Sequence, residues 1–288
     1  MKIAVIVPTI REEAIKEFKK EWQDLFNHHS VDLYVVWDGD NPYVEKNDDE
    51  FIYFNQLPND VKTLIRTHTS AVRNFGFYAA YNDGADIFIT LDDDVSPIGD
   101  PIQDHINALN MKVPLSWLST TLAGKYMRGF PYNIRAEAPV MLSHGIWLGV
   151  PDLDAPTQLL EPDMQPKFYQ GTIPRGVLFP MCGMNVAFKR EIAPMMYWCN
   201  SVDIKGAERF DDIWAGIEIK KEMDKIGLAA VSGYAIVHHN RLSNVYASLQ
   251  KEAVGIGLNE KYWKGEHDDF YKNFINNREL WRQILMAL

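Results

Sequence analysis

Three consecutive carboxylates, Asp92, Asp93 and Asp94, follow Leu91 at the end of the apolar run Asp86-Ile87-Phe88-Ile89-Thr90, and few folds accommodate such a cluster. The run reads as a buried strand. Adjacent anions at the end of a core strand repel one another strongly unless a cation sits among them, and the expected cation is a metal. Side chains alternate along an extended segment, so Asp92 and Asp94 point one way while Asp93 points the other. This is an Asp-x-Asp arrangement, in which one or two carboxylates hold a hard divalent ion and water and phosphate complete its shell. A bare acidic triplet usually marks a solvated turn. A core strand ending in carboxylates is instead where open α/β sheets place their ligands.

The amino-terminal third alternates strand and helix, which predicts a mostly parallel central sheet flanked by helices. Ile3 to Val7 reads as the first strand. Thr9 with Glu12 forms an expected capping box for a helix burying Ile15, Phe18, Trp22, Leu25 and Phe26. Val31 to Trp37 is a second strand, and Asp38-Gly39-Asp40 follows it. There a carboxylate either reads a nucleobase or serves the turn. A helix from Ser70 turns Val72, Phe75 and Ala79 inward and stops at Gly84, with Arg73 and Asn74 near its positive end. Residues 97 to 180 lack clean periodicity and are expected to be loops that build a pocket over the sheet. Beyond them, Gly183 to Phe188 reads as a strand. Asp211 and Asp212 open a helix with Ile219, Met223 and Ile226 on one face and Gly227 as its stop, and a strand from Ala229 leads to His238-His239. Residues 1–258 are expected to form the catalytic domain and residues 259–288 a helical extension suited to association.

The chain has 288 residues and a formal net charge of −10, which disfavours nucleic-acid and anionic-membrane partners, because both need a surplus of Lys and Arg. Its two cysteines, Cys182 and Cys199, offer no disulfide framework. No apolar run is long enough to span a bilayer or to act as a signal core, so a cytoplasmic protein is expected.

Several longer strings carry a resemblance. They include Arg128-Gly129-Phe130-Pro131-Tyr132-Asn133-Ile134-Arg135, Ser143-His144-Gly145-Ile146-Trp147-Leu148, Pro151-Asp152-Leu153-Asp154-Ala155-Pro156, Leu178-Phe179-Pro180-Met181-Cys182-Gly183-Met184-Asn185 and Arg209-Phe210-Asp211-Asp212-Ile213-Trp214-Ala215-Gly216. With the aspartate triplet, these resemble the reversibly glycosylated polypeptides, known in plants as UDP-arabinopyranose mutases, from the first strand to about Gly255. The resemblance implies a GT-A-like fold, a divalent metal (manganese or magnesium) and a UDP-sugar substrate, and the carboxyl-terminal segment is expected to support a homo-oligomer. It also implies interconversion of UDP-L-arabinopyranose with UDP-L-arabinofuranose, and reversible self-glycosylation. Arg128 matches the arginine associated with self-glycosylation in that family, and Arg135 a second arginine needed for mutase activity. Contacts to the sugar are expected from His144, Trp147, Asp152, Asp154, Gly183 and Trp214. Contacts to UDP are expected from Thr9, Asp38, Arg73, Asn74, Asp93, Arg241 and Lys251.

The metal ligands are expected to be Asp92, Asp94 and, by resemblance and because imidazole suits manganese, His239. Of Asp211 and Asp212, one is expected to manage a sugar hydroxyl proton while the other caps the helix. Arginine is a poor nucleophile because it stays protonated. Arg128, or a carboxylate such as Asp152, Asp154 or Asp212, is therefore left as the group that takes the sugar. Val7-Pro8-Thr9-Ile10-Arg11 lacks the Gly-x-Gly-x-x-Gly turn of a flavin-dependent mutase, so no flavin is expected. A glycosyltransferase with a separate acceptor and a non-catalytic UDP-sugar-binding partner are the competing readings.

Overall fold

The computed structural model describes residues 1–47, 50–115, 126–150, 153–161, 164, 168–199, 209–240, 244–266 and 269–288. The chain begins with β1 (Ile3–Thr9), α1 (Glu12–His29) and β2 (Asp32–Trp37), and continues through β3 (Tyr43–Lys46), β4 (Glu50–Tyr53), α2 (Asn59–Leu64), α3 (Arg73–Asn82) and β5 (Ile87–Leu91). Next come β6 (Val95–Pro97), α4 (Pro101–Leu109), β7 (Lys112–Val113), β8 (Ala138–Gly149), α5 (Ala155–Leu160), β9 (Gly171–Ile173) and β10 (Asn185–Lys189). The last elements are α6 (Asp211–Ile226), β11 (Ala229–His239), α7 (Val245–Trp263) and α8 (Asp269–Ala287).

The strands form a mixed sheet in the order β4-β3-β2-β1-β5-β10-β8-β11-β6, with β7 paired to β8 and β9 to β11. β1 is parallel to β2 and to β5, and β8 is parallel to β11. β10 runs antiparallel between β5 and β8. The carboxyl ends of β1, β2, β5, β8 and β11 therefore share one edge.

Alternation along β1 explains the layering. Ile3, Val5 and Val7 pack with Phe18 and Trp22 of α1 and Ile102 and Ile106 of α4. Ala4 and Ile6 face the opposite side, where the core holds Phe75 of α3, Trp214 and Ile219 of α6, and Phe274, Trp281 and Leu285 of α8. Each large apolar side chain buried in this way contributes about 1.5–3 kcal/mol. The expected division at residue 258 falls inside α7, and α8 buries its apolar stripe in the same core as α3.

Three expectations need correction. α1 starts after Arg11 with no side-chain cap, because Thr9 still belongs to β1 and its hydroxyl donates to Asp93. Ile226, expected on the buried face of α6, is exposed, since the helix ends there at Gly227 in the left-handed conformation. Residues 97–180 are not only loops: they contain α4 and the twelve-residue strand β8. β8 lies between β10 and β11 and is buried over most of its length, so it shows no polar alternation.

Candidate functional site

The carboxyl edge of the parallel strands gathers the charged groups. Asp92 pairs with the guanidinium of Arg73, whose Nε donates to Thr90 Oγ1 at 2.9 Å. Arg73 opens α3 and is buried beneath the Trp198 ring, 5.0 Å from its centroid. Burial lowers the pKa of its guanidinium, while Asp212, Asp211 and Asp93 pull it back up. Asp93 is buried. It accepts from Thr9 Oγ1 at 2.5 Å and from Arg11 Nε at 3.1 Å, with a second Arg11 contact to its other oxygen. Arg11 also reaches Asp94 at 3.4 Å.

The countercharge for the triplet is thus supplied by two arginines projected from the ends of neighbouring elements. Arg11 was missed by sequence reasoning. The signal existed, since three carboxylates require nearby cations and Arg11 follows β1, the strand adjacent to β5.

Asp94 also faces β11. His239 Nε2 lies 3.8 Å from Asp94 Oδ1, and its Nδ1 is 2.8 Å from the Val150 carbonyl. A carbonyl only accepts, so Nδ1 carries a proton and donates to it, which turns Nε2 toward the carboxylate. Gly149, with φ +86°, permits this approach, because a Cβ there would lie 2.7 Å from the His239 carbonyl oxygen.

The opening turn of α6 closes the cluster. Asp212 Oδ2 accepts from the Gly183 N–H at 3.2 Å, and Oδ1 accepts from Ile213 N at 2.8 Å. Gly183 is required there, since a side chain would collide with the Trp198 ring. Asp211 accepts from Asp212 N at 2.9 Å, and its other oxygen is buried without a hydrogen-bond partner. Burial, and then the neighbouring Asp212 carboxylate, raise Asp211 to about 7. Neither aspartate is the N-cap, which is Phe210.

Asp38 is joined to the cluster through its backbone, whose N–H donates to Thr9 at 2.8 Å. Its carboxylate accepts from the His68 N–H at 2.8 and 2.9 Å, and burial raises its pKa. His144 is buried on β8, where it accepts from Cys182 N at 3.3 Å and lies edge-on to Trp147. Burial holds it neutral, with a pKa near 3.

Other expected contacts lie elsewhere. Asn74 is buried, with both amide atoms spent on the Trp198 backbone at 2.9 and 3.0 Å. Trp214 is a core residue stacked on Phe210 and Tyr262, so it does not face a sugar. Asp154 caps α5 through Thr157. Lys251 is exposed on α7. Arg128 is also exposed, whereas Arg135 sits over the rings of Tyr132 and Tyr126 at 3.9 and 4.5 Å. Asp152 and Arg241 lie outside the described residues.

An open α/β sheet with carboxylates and arginines interleaved on the carboxyl edge of its parallel strands belongs to the class that places its ligands at that edge. Residues 1–267 match the family RGP, reversibly glycosylated polypeptide, and the chain belongs to that family. It is 35% identical over 291 residues to a protein named probable UDP-arabinopyranose mutase 1 from Pisum sativum, covering 93% of this chain and 76% of that one. It is 33% identical over 298 residues to UDP-arabinopyranose mutase 2 of Arabidopsis thaliana, covering 96% and 79%. Among solved structures, a Drosophila β-1,4-galactosyltransferase 7 variant in complex with manganese, UDP-galactose and xylobiose matches at 12% identity. The TM-score is 0.39, over 86% of this chain and 73% of that one.

Proposed function

We propose that this chain is a flavin-free, metal-assisted UDP-sugar mutase with a GT-A-like fold that interconverts UDP-L-arabinopyranose and UDP-L-arabinofuranose and glycosylates itself reversibly. The observation that carries the reading is the convergence of Asp92–Asp94, Arg11, Arg73, Asp211 and His239 on one sheet edge, in a chain whose relatives bear the mutase name. Ring contraction requires breaking the bond between C1 and the ring oxygen and closing on O4. The anomeric carbon must first be freed from UDP; O4 then bonds C1 as its proton passes to O5 and the C1–O5 bond breaks, and the retained UDP re-forms its bond to C1.

Of the expected ligands Asp92, Asp94 and His239, Asp92 is paired with Arg73, and Asp94 and His239 fit a divalent ion such as manganese or magnesium, since a carboxylate and an imidazole with its second nitrogen already satisfied form a suitable donor pair. Such an ion, when bound, neutralises charge on a departing diphosphate. Arg11 and Arg73 add fixed positive charge at the same edge. Asp212, partly exposed beside the buried Asp211, is suited to hold or release a sugar hydroxyl proton. Arg128, or a carboxylate such as Asp154 or Asp212, is the group that takes the sugar in self-glycosylation. Arg11 occupies the turn after β1 where a flavin-binding protein would carry glycines.

No helix among the described residues is long and apolar enough to cross a membrane, and a cytoplasmic location is part of this reading. So is self-association, supported by exposed Tyr246, Val254, Ile256 and Trp263 on α7.

The test is to incubate pure protein with manganese and UDP-L-arabinopyranose, without acceptor, and follow the nucleotide sugar by NMR. The furanose form should accumulate to equilibrium. Hydrolysis alone, or no change, overturns the reading in favour of transfer to a separate acceptor.

A further inference from the structure

We propose that His28, His29 and Asp100 form a second divalent-cation site, of zinc type, that ties the carboxyl end of α1 to the amino end of α4. His29 Nε2 lies 2.8 and 3.0 Å from the two oxygens of Asp100. The His29 side chain is 8% exposed and that of Asp100 34%, so the histidine is shielded from water while the carboxylate stays open to an entering ion. The exposed His28 ring stands edge-on to His29, with centroids 4.7 Å apart. One donor atom from each of the three residues lies within 4.8 Å of the others, close enough to converge on one ion.

The chemistry of the donors selects the ion. Two imidazoles and one carboxylate suit zinc and its neighbours, whereas magnesium and calcium prefer all-oxygen shells. Asp100 Oδ1 accepts from Gln103 N at 2.9 Å as the cap of α4, which leaves Oδ2 to coordinate. Both histidines occupy the last turn of α1, where the helix dipole favours positive charge. An arriving ion displaces the proton shared between His29 and Asp100, and water fills its remaining positions.

This site is separate from the aspartate cluster. Arg11, at the amino end of α1, touches Asp93, and the 18 residues of α1 carry the chain ~27 Å along the helix before His29 is reached. The two tied helices share one core layer through Phe18, Trp22, Ile102 and Ile106. A bound ion therefore stabilises the folded chain by linkage.

The test is thermal unfolding of chelator-stripped protein at pH 7.5 with and without zinc chloride, with native mass spectrometry for stoichiometry. At free zinc about a hundredfold above Kd, the midpoint should rise by about 5 °C or more. The rise should persist in Asp94→Asn, which lacks the ion pair partner of His239, and vanish when His28→Ala is added to that variant. His28 is exposed, so its replacement leaves the zinc-free midpoint near that of Asp94→Asn alone. The absence of a zinc-dependent shift, an equal shift when His28→Ala is added, or a shift lost in Asp94→Asn each overturns the proposal.

Discussion

Asp211 is the residue whose environment departs furthest from that of a free carboxylate. It is buried beside a second aspartate, and its pKa rises to about 7 from 3.8. Between these values the folded chain binds more protons than the unfolded one, so this group makes stability fall as pH rises from about 4 to about 7 and adds no further slope above that. Asp211→Asn removes the cost of the buried charge. The variant should gain stability relative to the native chain with rising pH, by ~1.4 kcal/mol for each tenfold by which folding tightens proton binding at Asp211, as read by urea unfolding at pH 5 and pH 8. Parallel pH profiles for the two proteins would show that Asp211 is not held protonated. At this scale the sequence was only half readable. The acids at Asp92–Asp94 and Asp211–Asp212 announced themselves, and Arg73 followed from its place at a helix start. Arg11 did not, because its partner Asp93 lies more than eighty residues away and the pairing exists only once β1 lies beside β5.

Among the elements, β8 depends most on tertiary context. It carries Ser143 and His144, two buried polar groups that local patterning marks as loop. Each is satisfied from another element. Ser143 Oγ lies 2.9 Å from His105 Nδ1 of α4, His105 Nε2 lies 2.8 Å from Asn185 Oδ1 of β10, and His144 Nδ1 lies 3.2 Å from Ser232 Oγ of β11. Among the strands that could be read, β1, β2 and β5 are continuous apolar runs bounded by turn residues, and α1 and α6 show a clean helical period. β8 could not be read, because its polar residues are satisfied by partners that no local window contains. Burial lowers His105 to about 4 and His144 to about 3 from an ordinary 6.5. Both stay neutral when folded but charge on unfolding, so their contribution is complete above about pH 6.5 and is lost as pH falls from there toward 4. Acid unfolding of His144→Gln should be shallower than that of the native chain across this window, as followed by near-ultraviolet circular dichroism. Superimposable acid transitions would contradict the assignment.

For the molecule as a whole, the sheet divides the work between its faces and its edge. α8 is integral to one face: Trp281 is fully buried, donates its indole N–H to the Ala193 carbonyl at 3.2 Å and packs near Tyr197. Trp281→Ala should cost about 3–5 kcal/mol of unfolding free energy. A loss below about 1 kcal/mol would mean that α8 is peripheral. The proposed function puts the chemistry at the edge, with Asp94 and His239 holding an ion against the diphosphate of a nucleotide sugar while Arg11 and Arg73 balance the remaining charge. Calorimetric titration of UDP, in manganese and in chelator, tests this most directly when the native chain is compared with Asp94→Asn. Manganese should tighten UDP binding to the native chain at least tenfold and have little effect on the variant. Equal UDP affinity with and without manganese in the native chain, or an undiminished manganese effect in Asp94→Asn, would contradict the account.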